Sequence, residues 1–158
     1  MKAERLSSTV IGVDIDDDAL ALAKSNIATM DMEADEDEEP LVSLVHGDVT
    51  ADTFRVPGDT DAERVKFDTV VSNPPFGTWV AGADAAFLER ACSRAETAVY
   101  SLHKSSTRDF LKRRASALGF EGTVVAQMKF DLPRTMAHHK AKSVDIEVDM
   151  WRFERRAS

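Results

Sequence analysis

The chain has 158 residues, 43% of them hydrophobic, which suits one ordinary domain with a buried core and is unlike a disordered composition. No apolar run approaches the roughly 20 residues that span a bilayer, and the opening Met-Lys-Ala-Glu-Arg-Leu lacks the apolar stretch of a secretory signal. Net charge is −8, which on its own disfavours an anionic partner, and Cys92 is the only cysteine, which excludes an internal disulfide and fits a reducing compartment.

Residues 9–14, Thr-Val-Ile-Gly-Val-Asp, read as a short buried strand. Asp16 or Asp17 then caps a helix whose apolar positions Leu20, Ala23, Ile27 and Met30 recur every three or four residues. Residues 31–39 crowd seven carboxylates together, and their mutual repulsion predicts a mobile acidic loop, stopped by Pro40. Residues 41–46 form a second strand and Gly47-Asp48 a turn. Residues 50–66 show no period and contain Pro57-Gly58-Asp59, so they read as a loop. Residues 67–72 form a third strand that ends at Asn73-Pro74-Pro75-Phe76, where two prolines stop any helix or ladder.

Residues 83–95 predict a helix with Phe87, Leu88, Ala91, Cys92 and Ala95 on one face, which makes Cys92 a core residue. Residues 97–102 form a fourth strand. Ser106, with Asp109 three residues on, has the spacing of a capping box opening a helix that Gly119 closes. Val124, Ala126, Met128, Phe130 and Leu132 then alternate, as do Val144, Ile146, Val148 and Met150. Asp145, Glu147 and Asp149 take the other face of that last strand. This predicts an antiparallel pair joined by a loop rich in His and Lys. Strand–helix repeats followed by such a pair describe an α/β open sheet with an antiparallel edge, in one domain over residues 1–158.

Asn73-Pro74-Pro75-Phe76 carries the most chemistry. It directly follows a strand, where open α/β sheets place ligands. An exocyclic amine on an aromatic ring is a poor nucleophile because its lone pair is delocalised. The Asn73 side-chain oxygen and a proline carbonyl can accept its two N–H bonds and aim the lone pair at an electrophilic methyl group. Proline suits that role, with φ fixed and no N–H of its own. Phe76 offers a face on which a base stacks, worth ~1–3 kcal/mol. The bland alternative is a turn at a strand end.

Asp14 ends the first strand, where an acidic residue accepts hydrogen bonds from a cofactor ribose. Capping is the alternative, but Asp16, Asp17 and Asp18 are already available for it. Asp48 can accept from an adenine amino group, with Val49 donating a backbone N–H, although Gly-Asp is also ordinary turn chemistry. His103, Lys104, Ser105 and Ser106 lie at a strand end, where phosphate contact and helix capping stand equal. Without the seven acidic charges the balance is near −1, and residues 104–142 carry nine Lys and Arg against Asp109, Glu121 and Asp131. In that stretch Arg134, His138, His139, Lys140 and Lys142 suit grip on a nucleic-acid backbone, or a solvated loop. No metal site is expected: His138-His139 lack a spaced second pair of ligands.

The chain resembles class I S-adenosylmethionine-dependent methyltransferases and, more narrowly, the methyltransferase-like protein five family of small-subunit ribosomal RNA N6-adenosine methyltransferases. The matching residues are Gly12-Val13-Asp14-Ile15-Asp16, Asp18-Ala19-Leu20, Phe67-Asp68-Thr69-Val70 and Asn73-Pro74-Pro75-Phe76-Gly77-Thr78. Further on come Ala98-Val99-Tyr100-Ser101-Leu102-His103-Lys104-Ser105-Ser106-Thr107-Arg108, Asp131-Leu132-Pro133, and the run from Lys142 to Asp149. The resemblance implies a Rossmann-like sheet, S-adenosylmethionine as methyl donor, and an adenosine of ribosomal RNA as target. It implies that Asn73, Pro74 and Phe76 hold the base, with Pro75 in the same catalytic motif and Asn73 also beside the cofactor. Asp14 would hold the ribose, and Asp48 with Val49 the cofactor adenine. It further implies a small zinc-binding activator subunit that adds a strand near Leu41 and Val45, and residence in nucleus and cytoplasm.

In one respect the chain departs from this pattern. The family's N-terminal first strand and its Asp-Leu-Gly-Cys-Gly-type loop have no counterpart here, so the expected domain is N-terminally incomplete. Two other readings stay open: a non-catalytic remnant that binds RNA or a partner protein, and an amino-methyltransferase acting on guanine N2 or protein glutamine.

Overall fold

In the computed structural model the first strand, β1 (Val10–Asp14), runs into α1 (Asp17–Thr29) through an Asp16 cap. The Asp16 carboxylate accepts from the backbone N–H of Asp18 at 2.9 Å and of Ala19 at 3.4 Å. This satisfies two of the amides that a helix start leaves without intrahelical partners. The structure describes residues 9–30, 41–51, 54–60, 63–75, 82–131 and 145–157. They fall into two units, divided between Val65 and Lys66. The acidic stretch 31–39, Phe76 and the loop carrying Arg134, His138, His139, Lys140 and Lys142 lie outside the described residues.

In the first unit β1 pairs in parallel with β2 (Val42–His46), in register from Val10 opposite Val42 to Asp14 opposite His46. β1 is half-buried rather than fully buried as expected. On α1, Leu20, Ala23 and Ile27 are half-buried, but Met30 is 70% exposed and lies off the packed stripe. The reason is local: Met30 is the C-cap, where the chain leaves the helix. Residues 54–60 and 63–66 carry no helix or strand, as their lack of period predicts. Asp59 organises them, accepting from Val56 N at 3.1 Å and Val65 N at 2.7 Å.

The second unit holds β3 (Phe67–Ser72), α2 (Ala83–Arg94), β4 (Ala95–Lys104), α3 (Arg108–Ala117), β5 (Phe120–Asp131) and β6 (Asp145–Arg155). Its sheet order is β3-β4-β6-β5, with β3 and β4 parallel and both pairs involving β6 antiparallel. The last strand in sequence therefore lies inside the sheet, between β4 and β5. Directly opposite residues share a face, so Val99 meets Phe153, Ser101 meets Trp151 and His103 meets Asp149. Leu88, Ala91 and Cys92 of α2 and Leu111 and Ala115 of α3 pack with Val99, Phe120, Trp151 and Phe153 into the core. Trp151 and Phe153 stack with centroids 5.2 Å apart and planes at 3°. Burial of such side chains stabilises by ~1.5–3 kcal/mol each. Cys92 belongs to this core, as expected, and burial pushes its thiol pKa up to about 12.

Three features differ from the expectation. β4 runs from Ala95 to Lys104 rather than over residues 97–102: β3 pairs with it from Phe67 opposite Ala95, which takes Ala95 out of the expected helix, and β6 continues the ladder as far as the Lys104–Val148 pair. His103 and Lys104 are thus strand residues. The Ser106–Asp109 capping box does not form: Ser105–Thr107 make a 3-10 turn and α3 starts without a side-chain cap. Asp149, expected on the polar face of the last strand, is fully buried, on the face that continues with Trp151 and Phe153. Arg108 and Ser105 compensate the burial, as described below. Gly119 closes α3 as expected, at φ +81°, a conformation that only glycine adopts without strain.

Candidate base-binding site

β3 and β4 run parallel, so their C-terminal ends open on one rim. The last residue of β3 is tied to its neighbour there, Ser72 Oγ lying 2.8 Å from Ser101 Oγ. The chain then leaves the ladder at Asn73-Pro74-Pro75. Pro74 is fully buried, whereas Asn73 and Pro75 are exposed. Among the described residues a cavity of about 280 Å³ is lined by Pro74, Pro75, Gly82, Asp84, Leu102, His103, Lys104, Ser106 and Thr107. The structure thus brings together two groups that are some thirty residues apart in sequence: the prolines after β3, and His103 with Lys104 at the end of β4. Asn73 is next to this cavity in sequence but is not among its lining residues.

His103 is 1% exposed, and its ring stands edge-on to Phe153 with centroids 6.3 Å apart. Among the described residues its Nε2 has no hydrogen-bond partner. Burial lowers its pKa to about 4, against the opposing attraction of Asp84. The imidazole is therefore neutral at physiological pH. This corrects the helix-capping alternative for His103, which lies within β4; a neutral ring meets a phosphate only as a hydrogen-bond donor, not by charge. Lys104 is half-buried beside it and brings an ammonium to the cavity. Asp84, in the first turn of α2, brings a carboxylate; no sequence signal marked it beyond its place at a helix start.

Behind His103 lies its cross-strand neighbour Asp149. The Arg108 guanidinium donates from Nε to Oδ2 at 2.5 Å and from Nη2 to Oδ1 at 2.7 Å, and the Ser105 hydroxyl donates to Oδ1 at 2.7 Å. The Arg108 hydrogen bonds, with help from Ser105, hold the carboxyl below its ordinary pKa although desolvation opposes them. Ser105, offered by the sequence for phosphate contact or capping, and Arg108, singled out only by family resemblance, thus anchor the turn that carries Ser106 and Thr107 at the cavity.

In the first unit Asp14 ends β1 exposed, its Oδ1 accepting from Asp16 N at 2.9 Å. Asp16, not Asp14, caps α1. Gly47 N donates to Asp14 O at 2.9 Å, which joins the ends of β1 and β2 and brings Asp48 to the same end of that sheet. Asp48 Oδ1 accepts from the Thr50 N–H and the Thr50 hydroxyl, both at 2.7 Å. The Thr50 hydroxyl first, then its backbone N–H, hold the Asp48 carboxyl below its usual pKa. Turn chemistry thus occupies one oxygen of Asp48, and Val49 is part of the same turn.

The N-6 DNA Methylase family model matches residues 1–112. An rRNA N(6)-adenosine-methyltransferase of Danio rerio is 43% identical over 144 residues, covering 90% of this chain and 63% of that protein. One of Drosophila melanogaster is 41% identical over 145 residues, covering 91% and 62%. The chain thus spans somewhat less than two thirds of the length of these relatives. A crystal structure from Pyrococcus horikoshii, described as a candidate RNA methyltransferase, superposes with a TM-score of 0.69 at 27% identity, over 94% of this chain and 64% of that one. One from Thermoplasma acidophilum gives a TM-score of 0.61 at 28% identity, over 95% and 68%. The fold is the Rossmann-like one of class I methyltransferases, and the chain belongs to the N-6 DNA Methylase family.

Proposed function

We propose that the chain carries the target-base half of an S-adenosylmethionine-dependent methyltransferase acting on N6 of an adenosine in small-subunit ribosomal RNA. The observation that carries this reading is the placement of Asn73-Pro74-Pro75 at the end of β3, beside a cavity. The names of the Danio rerio and Drosophila melanogaster relatives supply the substrate class. In this reading the Asn73 side-chain oxygen and the Pro74 carbonyl accept the two N6–H bonds. The nitrogen is then held with its lone pair aimed outward, and no covalent enzyme intermediate forms. The effect is orientation plus hydrogen bonding that strengthens as charge develops on nitrogen. Phe76 stacks on the base, and Lys104, Arg134, His138, His139, Lys140 and Lys142 meet the RNA backbone.

S-adenosylmethionine supplies the electrophilic methyl group when bound. Asp14 fits its ribose, being an exposed carboxylate at a strand end. Asp48 fits the adenine amino group through its second oxygen, with Val49 at the ring. A small zinc-binding activator subunit adds a strand beside β2, near Leu41 and Val45, and the assembly works in nucleus and cytoplasm. The test is methyl transfer to ribosomal RNA by the chain co-expressed with that subunit. Asn73→Ala should lower the rate by about 100-fold or more; transfer that survives this change removes Asn73 from the mechanism.

A further inference from the structure

Asp84 is a charge that the proposed chemistry leaves without a task. It is half-buried in the first turn of α2 and lines the cavity together with Pro74, Pro75, His103 and Lys104. Its attraction acts on the His103 ring, another member of the same cavity wall. A place at a helix start explains part of its position: Oδ1 accepts from the Ala85 backbone N–H at 2.9 Å. Among the described residues the carboxylate makes no other hydrogen bond and no ion pair, not even with Lys104. Oδ2 is therefore unpaired and, unlike Nε2 of His103, it is not sealed from solvent.

An ionised carboxylate accepts hydrogen bonds and donates none, and it repels phosphate, so its partner in a nucleotide is a donor. An adenosine inside an RNA chain has few donors to offer. Two are the hydrogens on N6, and in the proposed site Asn73 and Pro74 accept both. The 3′ and 5′ oxygens are esterified, which leaves the 2′-hydroxyl. We infer that Asp84 is a specificity-determining residue that accepts the hydrogen bond of the target nucleotide's 2′-hydroxyl through Oδ2, and so selects RNA over DNA. The inference deepens, and rests on, the reading that this cavity takes an adenosine of RNA. The 2′-hydroxyl is the group by which a protein tells the two nucleic acids apart at a given position. A 2′-deoxynucleotide leaves the carboxylate facing carbon, and a group built to hydrogen-bond one ligand discriminates strongly against an analogue that leaves it unpaired.

The test is binding of short oligoribonucleotides to the full chain, read by fluorescence anisotropy. The parent probe has one central adenosine flanked by uridines. Further probes change the central nucleotide alone, to 2′-deoxyadenosine, 2′-O-methyladenosine or uridine. Loss of the 2′-hydroxyl donor in either sugar-modified probe should weaken binding about tenfold. These probes leave the protein unaltered, so the outcome does not depend on whether a variant folds. Asp84→Ala should bind the adenosine and 2′-deoxyadenosine probes equally, whereas Asp84→Asn, which keeps an uncharged acceptor, should retain part of the preference. If the uridine probe binds as tightly as the parent, the adenosine reading fails and the inference with it. If adenosine is preferred to uridine but its 2′-deoxy form binds as tightly, or if Asp84→Ala keeps the full preference, the base reading stands and the assignment of Asp84 alone is overturned.

Discussion

Arg108 and Asp149 form a two-pronged ion pair in which the carboxylate is fully buried while the arginine side chain is 41% exposed. The two partners are therefore not equivalent. Removing the arginine leaves an ionised group inside the protein; removing the charge of the aspartate leaves a guanidinium that can turn to water. Arg108→Met should lower the urea midpoint clearly more than Asp149→Asn. Equal losses, or the reverse order, would show that the burial of Asp149 is not what makes the pair matter.

Acid titration should resolve two separate losses. Folded His103 stays neutral down to about pH 4, while the unfolded imidazole takes up its proton near 6.5. Between those values the unfolded state holds more protons, so stability falls as pH drops, by at most about 1.4 kcal/mol per pH unit from this residue. Asp149 acts lower. Its folded pKa is depressed below 3.8, so its contribution is present above that value and is lost as pH falls beneath it. In urea titrations between pH 7 and 3, His103→Gln should flatten the upper segment and leave the lower one. An unchanged upper slope would mean that His103 is not the residue responsible.

Gly122 sits directly opposite Phe153, and an added Cβ would come within 2.7 Å of two ring atoms of Phe153 and 3.2 Å of Trp151. Since Phe153 is stacked on Trp151 in the core, it has little room to give. Gly122→Ala should cost about 1–3 kcal/mol, the usual range for overpacking. Gly119→Ala meets nothing within 4 Å and is strained only through its φ of +81°, so it should cost about 1 kcal/mol. Chemical denaturation of both variants checks the order.

Cys92 is 3% exposed with its thiol pKa raised to about 12. On the order of one thiol in ten thousand is then ionised at pH 8, and a thiolate is the reactive form. Ellman's reagent should react with native protein only at the rate of unfolding and should react at once in denaturant. Rapid labelling of the folded chain would show that α2 opens readily from the sheet.

Elements with a clean period were legible in the sequence. Phe87 to Cys92 repeats as a helix face, and β5 and β6 alternate over long stretches, so type and approximate extent follow from local pattern. Ends set by pairing were not. β4 outlasts its apolar stretch because β6 supplies partners up to Lys104, and nothing local to His103 announces that. The candidate site divides in the same way. Asn73-Pro74-Pro75 declares itself, because two prolines after a strand have a local meaning. The burial of His103, the pairing of Arg108 with Asp149 across 41 residues, and the approach of Asp84 are tertiary facts. An alternating Asp-Ile-Glu-Val-Asp strand looks polar on one face until the arginine that neutralises its last member is known.

The order of strands also bears on how the second unit comes into being during translation. β4 and β5 do not touch through hydrogen bonds; β6, the last of them to be synthesised, is what joins them. Arg155 at its end then donates to the carbonyls of Cys92, Ala95 and Glu96 and covers the ring of Phe120, which sews the junction of α2 and β4 to this later-made strand. A nascent chain that has reached residue 131 has, among the described residues, both α-helices of this unit but no sheet linking β5 to the rest. A ribosome stall or nonsense change before the final strand yields exposed edges and core surface, a substrate for chaperones and proteases, whereas an equally long deletion taken from a surface loop need not.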